Sequence, residues 1–283
     1  MKHKDFAVLI LTHGRADRVY TIKSLRDAKY DGKIYLVCDD EDEQLSEYQN
    51  IFGKENVIVF NKADAVKETD DADIFKDKRA VVYARNQTFK IAKSLELEYF
   101  CVVDDDYVGY GARWEENGQL REKKVENITP IFDALIDFLE DSKSITVSFA
   151  QGGDLIGGLS NQTWRKQLLR KAMNIFFCKT DRPFEFYGKI NEDVNMYVLN
   201  GIKGKLCFTY VPIILHQLQT QSNEGGLTDI YLNLGTYVKS FYSVMYAPSC
   251  VKVASMGDKH LRIHHQIEWE HCTPKILNEK WKK

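Results

Sequence analysis

At 283 residues, with 44% hydrophobic, 12% aromatic and 28% charged side chains, the chain can bury a full core without disulfides or structural metals, which excludes disordered, collagen-like and coiled-coil classes. The formal net charge of −2 conceals an asymmetry: residues 1–160 carry 22 Lys/Arg against 31 Asp/Glu, and residues 161–283 carry 17 against 10. An acidic half suits cations held by carboxylates and a basic half suits an anionic partner, unless the two halves simply attract each other.

Taken in order, Ala7–Leu11 is a continuous apolar run, the pattern of a strand buried on both faces. Helical spacing follows over 16–29, then a strand over Lys33–Cys38, a helix around Leu45–Phe52, a strand over Val57–Phe60, a helix over Ala80–Leu95 and a strand over Phe100–Val103. Strands alternating with helices predict a parallel sheet with right-handed crossovers. After residue 106 the rhythm changes. Glu116-Asn-Gly118 predicts a hairpin turn, Thr129-Pro130 a helix start, and Ile145–Phe149 a strand, followed by the glycine-rich Gln151–Gly158. Short strands at Ile175–Cys178, Gly204–Tyr210 and Ile213–His216, with helices near 192–200 and 229–242, make the second half mixed. One domain over 1–283 is expected, with 1–106 as a nucleotide-binding half and 107–283 as a mixed half.

Six cysteines lie scattered without a CxxC pair, several inside apolar runs, and read as reduced core residues. Phe6–Leu11 is too short for a signal segment, and no run approaches the roughly 18 apolar residues of a membrane span. A cytoplasmic protein with no membrane partner is expected.

Three carboxylates, Asp104-Asp105-Asp106, follow the apolar strand directly, at the sheet edge where open α/β folds bind ligands. Adjacent like charges call for a balancing cation, and oxygen ligands suit a divalent one, with Asp104 and Asp106 bridging to a diphosphate and Asp105 touching donor sugar or ribose. A solvated acidic turn is the alternative. Thr12-His-Gly-Arg15 and Asp39-Asp40 follow the first two strands and converge on the same edge, Arg15 toward phosphate and Asp39 or Asp40 toward base or ribose hydroxyls. Arg85-Asn86 adds a fork donor and an amide.

This alternation, the strand ending Val-Val-Asp104-Asp-Asp106, and Arg85-Asn86 upstream resemble the GT-A nucleotide-sugar glycosyltransferases. The resemblance implies a GT-A-like, Rossmann-type, mostly parallel sheet flanked by helices, with 1–106 as the nucleotide-sugar-binding half and 107–283 as a mixed α+β acceptor half. It implies a DxD element holding Mn²⁺ or Mg²⁺ on the diphosphate of a UDP-type sugar. It also implies a third metal ligand at His216, unless that is a core histidine, and an acceptor-side loop at Gln151, Gly152 and Gly153. In inverting members an acidic pair opening a helix supplies the general base, here Glu192-Asp193, with Asp193 preferred; two acids in a first helical turn also favour the macrodipole.

Residues 161–189 hold seven basic groups, among them Arg165 and Arg170, interleaved with Trp164, Phe176, Phe177, Phe184 and Phe186. Such a stretch suits phosphates and extruded bases. Four of seven histidines lie from His260 onward, and His260, His264 and His265 form a lesser candidate metal cluster. Arg262-Ile-His-His-Gln-Ile-Glu-Trp269 and Pro274-Lys-Ile-Leu277 resemble, more loosely, the phage DNA glycosyltransferases related to the base J glucosyltransferase. That implies a 5-hydroxymethylpyrimidine acceptor such as hydroxymethylcytosine in DNA, acceptor contacts including Arg262, and a host cytoplasm. The alternatives are a glycan, lipid or protein acceptor, or a non-catalytic nucleotide-sugar or nucleic-acid binding module. A nucleotidyltransferase is disfavoured because Thr12–Arg15 is too short and glycine-poor for its phosphate loop.

Overall fold

The computed structural model describes residues 1–72, 78–218, 237–256 and 262–274. In the first half β1 (Phe6–Leu11), α1 (Tyr20–Asp27), β2 (Lys33–Asp39), α2 (Leu45–Phe52), β3 (Val57–Phe60), α3 (Lys62–Glu68), α4 (Val81–Ser94) and β4 (Tyr99–Asp104) succeed one another. The second half runs β5 (Tyr107–Glu116), β6 (Gln119–Lys124), α5 (Thr129–Ser142), β7 (Thr146–Gln151), α6 (Gln162–Lys166), β8 (Leu168–Leu169) and β9 (Phe176–Lys179). It continues through α7 (Glu192–Ile202), β10 (Cys207–Gln217), α8 (Tyr237–Tyr246), β11 (Val251–Met256) and β12 (Arg262–Ile267).

One sheet carries the order β3-β2-β1-β4-β9-β7-β10-β5-β6, with β8 on β10; β11 and β12 pair separately. β3, β2, β1 and β4 are parallel, as their apolar runs predict. β9 enters antiparallel between β4 and β7, β10 runs parallel to β7, and β5 and β6 close the far edge antiparallel. The fold class expected from the sequence is therefore the one observed, parallel on one side and mixed on the other.

Alternation sends β1 side chains to two cores. Phe6, Val8 and Ile10 pack with Leu25 of α1, Tyr48 of α2 and Phe132 of α5, whereas Ala7, Leu9 and Leu11 pack with Val82 of α4 and Val194 of α7. The rings of Phe6, Phe132, Phe149 and Phe177 form the centre of the first core. All four interleaved phenylalanines of 161–189, with Trp164, are buried here or in neighbouring clusters, so none is a stacking platform for a base. Aromatics in a half that must cover two sheet faces are claimed by the core first.

Some expected boundaries moved. The helix begins at Tyr20 rather than 16 because residues 12–18 form a loop, with the amides of Arg15 and Ala16 bonded to Tyr48 Oη and Gln44 Oε1. The two late strands are one, β10, whose register against β7 shifts between Tyr210 and Ile214, where Pro212 lacks an N–H. Asn117 and Gly118, both at positive φ, make the foreseen hairpin turn. Of the helix expected over 229–242, residues 229–236 lie outside the described ones, as do His260 and residues 275–277 of the tail. Among the described residues all six cysteines are free and buried, and no helix is long and apolar enough to cross a membrane.

Candidate active site

In the order β3-β2-β1-β4 the chain reverses direction of growth between β1 and β4, and ligand crevices of open α/β sheets lie outside the carboxyl ends at such a point. Leu11 is paired with Asp104 across this step, so Thr12 and the Asp104–Asp106 triplet leave the sheet side by side.

Burial sorts the three carboxylates. Asp105 is 3% exposed; its Oδ2 accepts from Thr12 Oγ1 at 2.7 Å and its Oδ1 from Arg15 Nη1 at 2.9 Å. Burial raises its pKa, and Arg15 and Thr12 only partly offset that. Asp105 thus binds the β1 loop together rather than a donor sugar, and Thr12, shared with Tyr48 Oη at 2.8 Å, is equally inward-facing. Asp104 keeps a 30% exposed side chain. Asp106 is pushed up to about 7 by burial first and then by the charges of Asp104 and Asp105. A carboxylate so disfavoured is one that a cation would relieve.

Arg85 lies 3% exposed between two acids from distant elements, with Nη2 donating to Asp104 Oδ2 at 3.2 Å and Nη1 to Glu192 Oε1 at 2.5 Å. Phe176 and Phe186 place their rings 5.0 and 5.5 Å from its guanidinium. Burial opposes its charge, but Asp104 and Glu192 hold Arg85 a cation. Burial also raises Glu192 well above the ordinary glutamate range, against the pull of Arg85. Arg85 is therefore a strut between the triplet and α7, not an open donor contact. Asn86 is a clasp: its Nδ2 donates to Phe186 O at 3.0 Å and its Oδ1 accepts from Phe186 N at 2.8 Å.

The acidic pair opens α7 as expected. Glu192 is taken by Arg85, while Asp193, 9% exposed, accepts the Val194 amide at 2.7 Å. Gly188, at φ +81, precedes this turn where a Cβ would lie 2.5 Å from the Tyr242 ring.

Along the edge toward β10 lies a network that no sequence pattern announced. Tyr107 Oη donates to Asn174 O at 2.6 Å and sits 3.5 Å from Asp104 Oδ2. Asn174 Nδ2 donates to Gln151 Oε1 at 2.5 Å and Gln217 Oε1 at 3.0 Å. Asn174 holds φ +63, a backbone state that a lone Asn does not advertise. A register shift between His216 and Gln217 sets Gln217 in this network, and the His216 ring instead meets Glu122 Oε1 at 2.6 Å. His216 is thus engaged as an ion-pair partner on the hairpin side rather than turned into this network, and among the described residues no ready-made group of three His, Cys, Asp or Glu is found.

Asp39 accepts from His13 Nδ1 at 2.9 Å with Lys62 at 3.6 Å, and these cations outweigh burial to keep it below the usual aspartate range. Both oxygens of Asp40 serve the start of α3, one taking Asn61 Nδ2 at 2.6 Å and the other the Lys62 amide at 2.9 Å. Asp40 is therefore spent on the helix rather than on a ligand.

On the acceptor side, Gln151 N bonds Asp154 at 3.0 Å, and a Cβ at Gly152 or Gly153 would meet open space. Of the seven basic residues, Lys179 and Arg182 pair with Glu140, Lys171 with Asp154, and the fully buried Lys189 with Asp71 at 3.4 Å. Arg165, Lys166 and Arg170 remain exposed and, among the described residues, without an ion pair. Arg262 opens β12. His265, lowered to about 4 by burial and then by His264, lies 3.5 Å from Asn191 Nδ2, and His264 bonds the neighbouring carbonyl, so neither is set as a metal ligand.

Clustered carboxylates at the switch point of this sheet, strutted to an acidic helix start, make that edge the candidate active site. Residues 6–226 match the family model described as TET-Associated Glycosyltransferase, and the chain belongs to that family. No curated protein sequence matches it. Solved structures similar to it include Staphylococcus aureus TarS 1–349, at 15% identity and TM-score 0.41 over 74% of this chain and 59% of that one. They also include glucosyl-3-phosphoglycerate synthase from Mycobacterium tuberculosis with Mg²⁺ and UDP, at 7% identity and TM-score 0.45 over 93% and 87%. GalNAc-T7 with UDP, GalNAc and Mn²⁺ aligns at 13% identity and TM-score 0.45 over 76% and 44%. The chain thus spans about three fifths of the TarS structure's length.

Proposed function

We propose that this glycosyltransferase moves a sugar from a UDP-type donor to the hydroxyl of a 5-hydroxymethylpyrimidine in DNA. The observation that carries the transfer reading is the Asp104–Arg85–Glu192 strut, which ties the carboxylate cluster to the helix start that bears Asp193. Asp104 and Asp106 suit Mg²⁺ or Mn²⁺: hard cations of this kind need one or two carboxylates and take the rest of their shell from phosphate and water. When bound, such a cation offsets charge on the departing diphosphate. Asp193 removes the proton from the attacking hydroxyl in an inverting displacement, since Glu192 is committed to Arg85. Arg85 and Glu192 position these groups without touching the reacting atoms. The DNA reading draws support from Arg165, Lys166 and Arg170, exposed cations without an ion pair among the described residues.

The test incubates the full chain with Mn²⁺, UDP-glucose, UDP-N-acetylglucosamine or UDP-arabinose, and DNA containing hydroxymethylcytosine or hydroxymethyluracil, followed by nucleoside mass spectrometry. The expected result is a hexose, N-acetylhexosamine or pentose increment on the modified base. In Asp193→Asn, transfer falls by roughly 10²–10⁴-fold while UDP binding persists. Donor hydrolysis without any nucleoside increment would retain the transferase and discard DNA.

A further inference from the structure

A cleft of ~590 Å³ opens on the acceptor side, lined by Thr163, Lys166, Leu168, Arg170, Lys171 and Trp269. Lys171 is held by Asp154, but Lys166 and Arg170 are exposed cations. Trp269 is the flat wall. Its indole, 39% exposed, lies nearly parallel to the buried Tyr197 ring, 15° and 5.8 Å between centroids. Tyr197 stands four residues after Asp193 in α7, a spacing that puts both on one helix face. Its hydroxyl is pushed up first by burial and then by the charges of Asp193 and Asp154. One helix face therefore leads from the proposed base to the cleft.

Two exposed cations beside an aromatic plane backed by a buried ring match a ligand that carries both flat rings and regularly spaced negative charge. A neutral glycan offers no charge to Lys166 and Arg170, and the core has absorbed Trp164 and all four phenylalanines of the 161–189 stretch. We propose that this cleft seats the single-stranded or extruded part of an acceptor nucleic acid, with a base stacked on Trp269 and flanking phosphates on Lys166 and Arg170. This assignment rests on the DNA reading above and adds to it the strand's path on the protein.

Fluorescence anisotropy of the full chain with a short fluorescent single-stranded oligonucleotide, across about 50–200 mM salt, tests it. Lys166→Gln/Arg170→Gln is expected to weaken binding about 10-fold and to reduce the log–log salt slope by about 1.4, two single-strand phosphate contacts' worth. Trp269→Ala is expected to lose on the order of 10-fold and Trp269→Phe to recover most of it, which separates a stacking loss from misfolding. Lys23→Gln/Lys67→Gln, exposed cations on α1 and α3, should bind as wild type. Cleft variants that bind as tightly as wild type overturn the cleft while leaving the DNA reading intact. A wild-type chain that binds no oligonucleotide at the lowest salt overturns both.

Discussion

The two sides of the sheet handle charge in opposite ways. At the carboxyl edge of β1 and β4 the central ionic groups are held by partners from distant elements, as in Asp105 with Thr12 and Arg15, or Arg85 with Asp104 and Glu192. On the side of α6 and β8, Lys166 and Arg170 face solvent with no ion pair among the described residues. The difference teaches where geometry is preorganised. Groups held by low-dielectric networks keep fixed distances, whereas, on the proposed DNA reading, exposed cations act on a polyanion through charge.

The sharpest way to break that comparison is to cut the strut. Arg85→Ala leaves the buried Glu192 and the half-buried Asp104 without their partner and should cost about 3 kcal/mol of stability, measured by denaturant unfolding; an unchanged midpoint would mean that Asp104 and Glu192 are solvated in solution. Asp105→Ala strips Thr12 and Arg15 of a shared acceptor and should destabilise by about 1–3 kcal/mol. A change within error would make Asp105 a donor contact after all.

Next comes a pH effect. Because folding raises the Glu192 pKa, the folded state binds its proton more tightly than the unfolded state. That contribution is present below the ordinary glutamate range and is lost as pH rises toward the raised value. Glu192 should contribute a fall of no more than about 1.4 kcal/mol per pH unit across this window, beside that of the likewise raised Asp106, and Glu192→Gln should make the slope shallower by that share. Parallel pH profiles for the two proteins would contradict it.

The smallest expected effect belongs to His216. Its pair with Glu122 is two-fifths exposed on the histidine side, so His216→Ala should cost less than about 1 kcal/mol and leave metal-dependent UDP binding unaltered by titration calorimetry. A marked loss of cation affinity would restore it as a ligand.

Legibility followed the range of the interactions. Fully buried strands such as Phe6–Leu11 announce themselves as apolar runs, and their alternation with helices implied the parallel order and thus the edge on which Asp104–Asp106 sits. Local chemistry likewise exposed the Asn117-Gly118 turn and the acidic opening of α7. Side-chain direction was not legible. Which of three adjacent aspartates turns inward depends on a threonine and an arginine ninety residues away, and whether His216 or Gln217 joins the site depends on a one-residue register shift. Nor did the stretch 161–189 disclose that its phenylalanines belong to the core and that Trp269, far along the chain, supplies the exposed ring. Periodicity and composition encode whether a segment is buried and in what form, because those depend on its own residues; tertiary packing alone decides who each charge meets, because the partners are remote and burial forces every polar group to find one.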